Sequence, residues 1–121
     1  REQNMQTIIE NSKYTVVKPQ YSVTAANAHL FEGELTTALK QNPHGALLVD
    51  LEQIEFLDSA GLMVLISNWK LAQTLKTRFS LCSISPSVRI IIELAQLDSV
   101  FEIFDCQATY TAKALMKSFQ S

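Results

Sequence analysis

Glycine is scarce in this chain: there are three, at 33, 45 and 61, too far apart to build a glycine-rich phosphate loop. Cysteine is scarcer still, and Cys82 and Cys106 stand in neither a CxxC nor a Cys/His spacing, with His29 and His44 flanking neither of them. That pattern gives no metal centre and no cofactor. It predicts two free, mostly buried thiols, although the count alone permits one disulfide. An excess of one charge is also missing, since the formal net charge is only −2. A nucleic-acid partner is therefore disfavoured, because phosphate binding needs clustered Lys and Arg. Long hydrophobic runs are absent as well: "LMVLI" and "GALLVDL" fall far short of a bilayer span, and "REQNMQT" lacks the apolar core of a signal peptide. A cytoplasmic protein without a membrane segment is expected. Because the chain opens on Arg1 rather than Met, that expectation covers this stretch alone.

What is present suits an ordinary globule. The 121 residues, 47% hydrophobic and 18% charged, are enough for one domain over 1–121, with a core from about 14 to 119, and too few for two. "MQTII" and "YTVVK", separated by "ENSK", predict an N-terminal antiparallel hairpin. Residues 25–41 place Ala28, Phe31, Leu35 and Leu39 at helical spacing and end in "NPHG". "ALLVDL" is a short continuous apolar run, the pattern of a strand covered on both faces.

A second helix is predicted from Ser59 to about Lys76, with Leu62, Leu65, Ile66, Trp69 and Ala72 inward. "RFSLCSI" returns as a strand, and "SPSVRIIIELAQL" follows as a helix with Ser85 as N-cap and Pro86 in its first turn. The alternation in residues 99–105 predicts an edge strand, and "TYTAKALMKSF" a last helix capped by Thr109 or Thr111. The expected fold is α/β: one mixed sheet of four to five strands packed by about four helices.

The joint "FLDSAGLMVLI" stands where ligands and partners usually dock on such sheets, at a strand's carboxyl end. Either Asp58 or Ser59 can cap the helix that follows. Gly61, inside its first turn, costs about 1 kcal/mol against Ala and so needs a reason. A phosphate on Ser59 would gain about 0.3 to 1 kcal/mol from the helix dipole and meet comparable repulsion from Asp58.

"LLVDLEQIEFLDSAGLMVLI" resembles the signature of the STAS domain, shared by sulphate-transporter tails and bacterial anti-sigma factor antagonists. "CSISPSVRIIIELAQLDSVFEIF" is similar to the same family's strand, Ser-Pro helix start and last strand, so the resemblance runs from about Tyr14 to the C-terminal helix. It implies a non-enzymatic regulator in partner switching. The unmodified antagonist would bind an anti-sigma factor serine kinase and free a sigma factor, phosphorylation would break the complex, and a metal-dependent serine phosphatase would reset it. By motif position the phosphoacceptor is Ser59, with Ala60 removing the alternative hydroxyl often found next to it. The partner surface implied is Asp58, Ser59, Ala60, Gly61, Leu62 and Met63, with Thr24 and Asn27 from the preceding loop. Many antagonists carry Gly-X-Leu-Asp in that loop, whereas "YSVT" has Tyr21 and Thr24 at the Gly and Asp positions, so a salt bridge is not available there.

Rival functions have less behind them. A serine hydrolase would need a Gly-X-Ser-X-Gly elbow, but Leu57 holds the first Gly position and the histidines lie in the first helix and a turn. The alternatives within the family are an interaction module of a transporter, sensory or lipid-transport complex, or a small-ligand (nucleotide) binding domain. Trp69 is expected in the core, Asp50 as a turn-former rather than the alternative, a part of the same partner surface, and Glu52 and Glu55 in solvent around an inward Ile54.

Overall fold

A computed structural model describes residues 7–10 and 14–120. Among the described residues five strands form one sheet in sequence order: β1 (Thr7–Glu10), β2 (Thr15–Lys18), β3 (Ala46–Asp50), β4 (Arg78–Cys82) and β5 (Glu102–Phe104). From β2 to β5 every pairing is parallel, and the antiparallel pairing is confined to β1 against β2, with Thr7 opposite Lys18 and Glu10 opposite Thr15. The turn between them, residues 11–13, lies outside the described residues. β3 and β4 are buried on both faces, which is why they read as unbroken apolar runs.

Helices α1 (Ala28–Gln41), α2 (Ser59–Thr74) and α3 (Pro86–Leu94) make the crossovers, and all three bury side chains in one core with Val17, Leu47, Val49 and Leu81 of the sheet. α4 (Gln107–Gln120) covers the other face, where its Tyr110 packs with Tyr14, Val16, Leu48, Cys82 and Phe104. Tyr110 meets the rings of Tyr14 and Phe104 edge-on, at 4.8 and 5.2 Å between centroids.

Several expectations need correction. α1 starts at Ala28, not at 25, because residues 25–27 form a turn closed by the Asn27 N–H donating to the Thr24 carbonyl. The deeply buried face of α2 is Gly61, Val64, Leu65, Asn68 and Ala72, while Leu62, Ile66 and Trp69 are half-buried beside it. The rotation tolerates a buried Asn68, whose amide donates to the Val64 carbonyl and accepts from Thr36 of α1. β5 has three residues rather than seven, because residues 97–101 turn back on α3 through Leu97 N–H to the Ile92 carbonyl and Phe101 N–H to the Leu97 carbonyl. α4 begins before either predicted cap: Cys106 holds the N-cap place, Tyr110 N–H donates to its carbonyl, and Thr111 instead bonds Tyr14 and the Gln107 carbonyl. Cys106 is exposed for the same reason, and only Cys82 is a buried thiol.

Candidate functional site

The parallel strands end along one edge of the sheet, and the loops into α1, α2 and α3 emerge there. Two of these loops pair with each other. Val23 and Leu57 form an isolated parallel bridge, with Val23 N–H donating to the Phe56 carbonyl at 3.0 Å and Asp58 N–H to the Val23 carbonyl at 3.1 Å. Ser22 Oγ accepts from Phe56 N–H at 3.2 Å.

Asp58 fastens the joint. Its backbone is extended, at φ −91° and ψ −171°, and its Oδ1 accepts from Gly61 N–H at 3.1 Å, which caps α2. Its other oxygen, Oδ2, accepts from Ala25 N–H at 3.0 Å, so one carboxylate ties the start of α2 to the loop before α1. Gly61 has its reason too: a Cβ there would come within 2.9 Å of Leu57 Cγ and Val23 Cγ1. The bridged loops pass too close for a side chain.

Ser59 is therefore not the cap. It occupies the first helical position, exposed, and no hydrogen bond among the described residues engages its hydroxyl. Thr24 and Asn27, by contrast, face their own loop. Thr24 Oγ1 accepts from Ala26 N–H at 3.2 Å, while Asn27 accepts from Thr24 N–H and donates to the Ser22 carbonyl, each at 2.9 Å. Their side chains shape the surface rather than project from it.

Tyr21 packs against the main core, and burial, with the Glu34 carboxylate facing its hydroxyl, pushes its pKa up. Burial raises Glu34 in turn. The Tyr21 hydroxyl and Glu34 Oε1 are both shut off from solvent, so the side chain at the Gly position of the Gly-X-Leu-Asp pattern packs inward. Asp50 is buried and accepts from Glu52 N–H at 3.0 Å, as a turn-former should, while Glu52 pairs with Lys18 at 2.8 Å.

Exposed apolar side chains occur in the elements that Asp58 ties together. Met63 lies one turn further along α2, Phe56 is in the entering loop, and Leu30 is in the first turn of α1. Phe56 and Leu30 were not among the sequence candidates. Leu30 had a signal, since it falls outside the stripe formed by Ala28, Phe31, Leu35 and Leu39. Phe56 had a weaker one, being flanked by Leu57, which takes the inward place. Among the described residues no group of His, Cys, Asp and Glu is arranged to hold a metal, and no helix is long and apolar enough to cross a membrane.

The family description "STAS domain" matches residues 5–109, which include both bridged loops. The chain belongs to the STAS domain family. Among its relatives is BtrV of Bordetella bronchiseptica, assigned as an anti-sigma factor antagonist, 30% identical over 81 residues that make up 67% of this chain and 69% of BtrV. Its fold is similar to that of a Thermotoga maritima protein also assigned as an anti-sigma factor antagonist, with TM-score 0.82 and 21% identity over 90% of this chain and 93% of that one. The anti-sigma factor antagonist SpoIIAA, solved in its unphosphorylated form, superposes with TM-score 0.73 at 16% identity, covering 93% of this chain and 96% of its own.

Proposed function

We propose that this STAS protein is an anti-sigma factor antagonist regulated at Ser59. In its unphosphorylated form it binds an anti-sigma factor that is also a serine kinase, and so releases a sigma factor. Phosphorylation of Ser59 dissolves the complex, and a metal-dependent serine phosphatase restores it. The surface engaged is Asp58, Ser59, Ala60, Gly61, Leu62 and Met63, with Thr24 and Asn27 holding the adjacent loop and Phe56 and Leu30 extending the apolar area.

The observation that carries this reading is the free hydroxyl of Ser59 beside a carboxylate that has already taken the capping role. Among the described residues no hydrogen bond uses that oxygen. A kinase can take it without unfolding the helix, and a phosphate there would place nearly two negative charges on a surface whose neighbours are Met63 and Phe56. A partner packed over these apolar side chains would have to bury that charge without a counter-ion, which costs several kcal/mol, on the order of the binding energy itself. Relatives named as anti-sigma factor antagonists support the same assignment.

The test is to incubate the protein with ATP and the candidate anti-sigma kinases of its source organism, and to map the product by mass spectrometry. Phosphate is expected on Ser59 and absent in Ser59→Ala, and Ser59→Asp is expected to lose the kinase complex. Labelling elsewhere, or unchanged binding by Ser59→Asp, would overturn the mechanism.

A further inference from the structure

α3 is apolar on two sides. Val88 and Ile92, four residues apart, are fully buried in the main core. Pro86, Ile90 and Leu94, also four apart, form a second stripe that is exposed, with Ile90 at 56% and Leu94 at 80%. Scattered surface apolar residues need no explanation, but a stripe along the whole length of a helix whose opposite side is already in the core is the pattern of a helix covered twice. Val100, 40% exposed, follows in the turn out of α3. That turn leads directly into β5, the three-residue strand at the end of the sheet order.

The charges beside the stripe are self-complementary. Arg89 precedes Ile90 and Glu93 precedes Leu94, and the two form a long pair at 3.9 Å, each about half-exposed. Two copies of α3 laid antiparallel, with a two-fold axis level with residues 91 and 92, place Ile90 of each against Leu94 of the other. The same axis brings Arg89 of each beside Glu93 of the other. A two-fold interface requires such a patch, in which one surface is its own complement, whereas a foreign partner requires no such symmetry.

We infer that the outer face of α3 is a docking surface for α3 of a second copy of this chain. The inference does not depend on the role of Ser59. The helix is about 14 Å long, so the contact lies below the roughly 800 Å² per partner of a standard interface. Association is therefore weak and dependent on concentration.

Sedimentation velocity of the whole chain tests this, from about 5 to about 500 μM, a span that brackets a weak dissociation constant. The sedimentation coefficient is expected to rise to that of a dimer across this range, and Leu94→Asp and Ile90→Asp are expected to remain monomeric with an unchanged circular dichroism spectrum. Should either aspartate variant misfold, Leu94→Ser, at a position that is mostly in solvent, replaces it. Arg89→Glu alone and Glu93→Arg alone should each weaken association about tenfold, because the two-fold axis duplicates every change, and the double exchange should restore it to within about threefold. A chain that stays monomeric throughout, a dimer indifferent to the Leu94 changes, or a double exchange no better than the single ones would overturn the inference.

Discussion

Gly61 sets two effects of opposite sign against each other. Replacing it by Ala improves helix propensity by about 1 kcal/mol. The added methyl, however, meets Leu57 Cγ and Val23 Cγ1 at 2.9 Å, and neither is the far end of a flexible chain. Overpacking of that kind costs about 1 to 3 kcal/mol, so Gly61→Ala is expected to lower stability on balance, by about 1 kcal/mol in urea unfolding. A gain in stability would mean that the bridged loops yield easily. Asp58 is the second test at this scale. Asp58→Ala removes both the cap and the tie to Ala25 and should cost about 1 to 2 kcal/mol, while Asp58→Asn keeps one acceptor oxygen and should fall between. Comparing the melting temperatures of the two variants with the parent measures the separate worth of the tie. Asp and Ser are equally good caps, which is why the sequence left the choice between Asp58 and Ser59 open. Only the extended backbone at Asp58 decides it.

At the scale of elements, α4 is held to the sheet by a polar cluster as well as by Tyr110. Arg78 of β4 makes two hydrogen bonds to Glu102 of β5, each at 2.8 Å, Ser80 donates to the same carboxylate, and Lys113 of α4 approaches it at 3.7 Å. Arg78 first, then Ser80 and Lys113, hold the Glu102 pKa down from 4.5 to about 2, against the opposing effect of burial. A depressed carboxylate contributes stability that is present above its ordinary pKa and is lost as pH falls through the folded value. The contribution should therefore fade between about pH 4.5 and about pH 2. With a third of the side chain in solvent it is on the order of 1 kcal/mol rather than the full shift. Glu102→Gln should lower the neutral-pH melting temperature and flatten that acid limb, and an equally steep limb in the variant would assign it to other carboxylates. None of this cluster was legible in the sequence, because it joins side chains 22 and 24 residues apart across two strands. The elements themselves were legible where burial is uniform, as in β3 and β4, or where a cap is unambiguous, as at Ser85, whose side chain accepts from Val88 N–H. They were misjudged where tertiary contacts override the pattern. The alternation in residues 99–105 hid the turn that shortens β5, and the apolar wheel of α2 hid a buried asparagine satisfied by its neighbours.

For the molecule as a whole, the two cores lie on the faces of the sheet, while Ser59 stands at the edge where the parallel strands end. A charge added there meets the helix dipole and Asp58, two effects of similar size and opposite sign, and touches neither core. On the proposed mechanism the fold and the switch would thus be separable, as reuse after each cycle would require. Ser59→Asp should accordingly unfold in urea within about 0.5 kcal/mol of the parent, as surface substitutions do. Its amide NMR shifts relative to the parent should cluster in residues 22–27 and 56–63, the loops joined by the Val23–Leu57 bridge and the Asp58 carboxylate. Shifts spread through β4, β5 and α4, or a loss of stability well beyond that margin, would mean that charge at Ser59 acts by altering the fold. A release mechanism based on a buried charge at the interface would then no longer be needed.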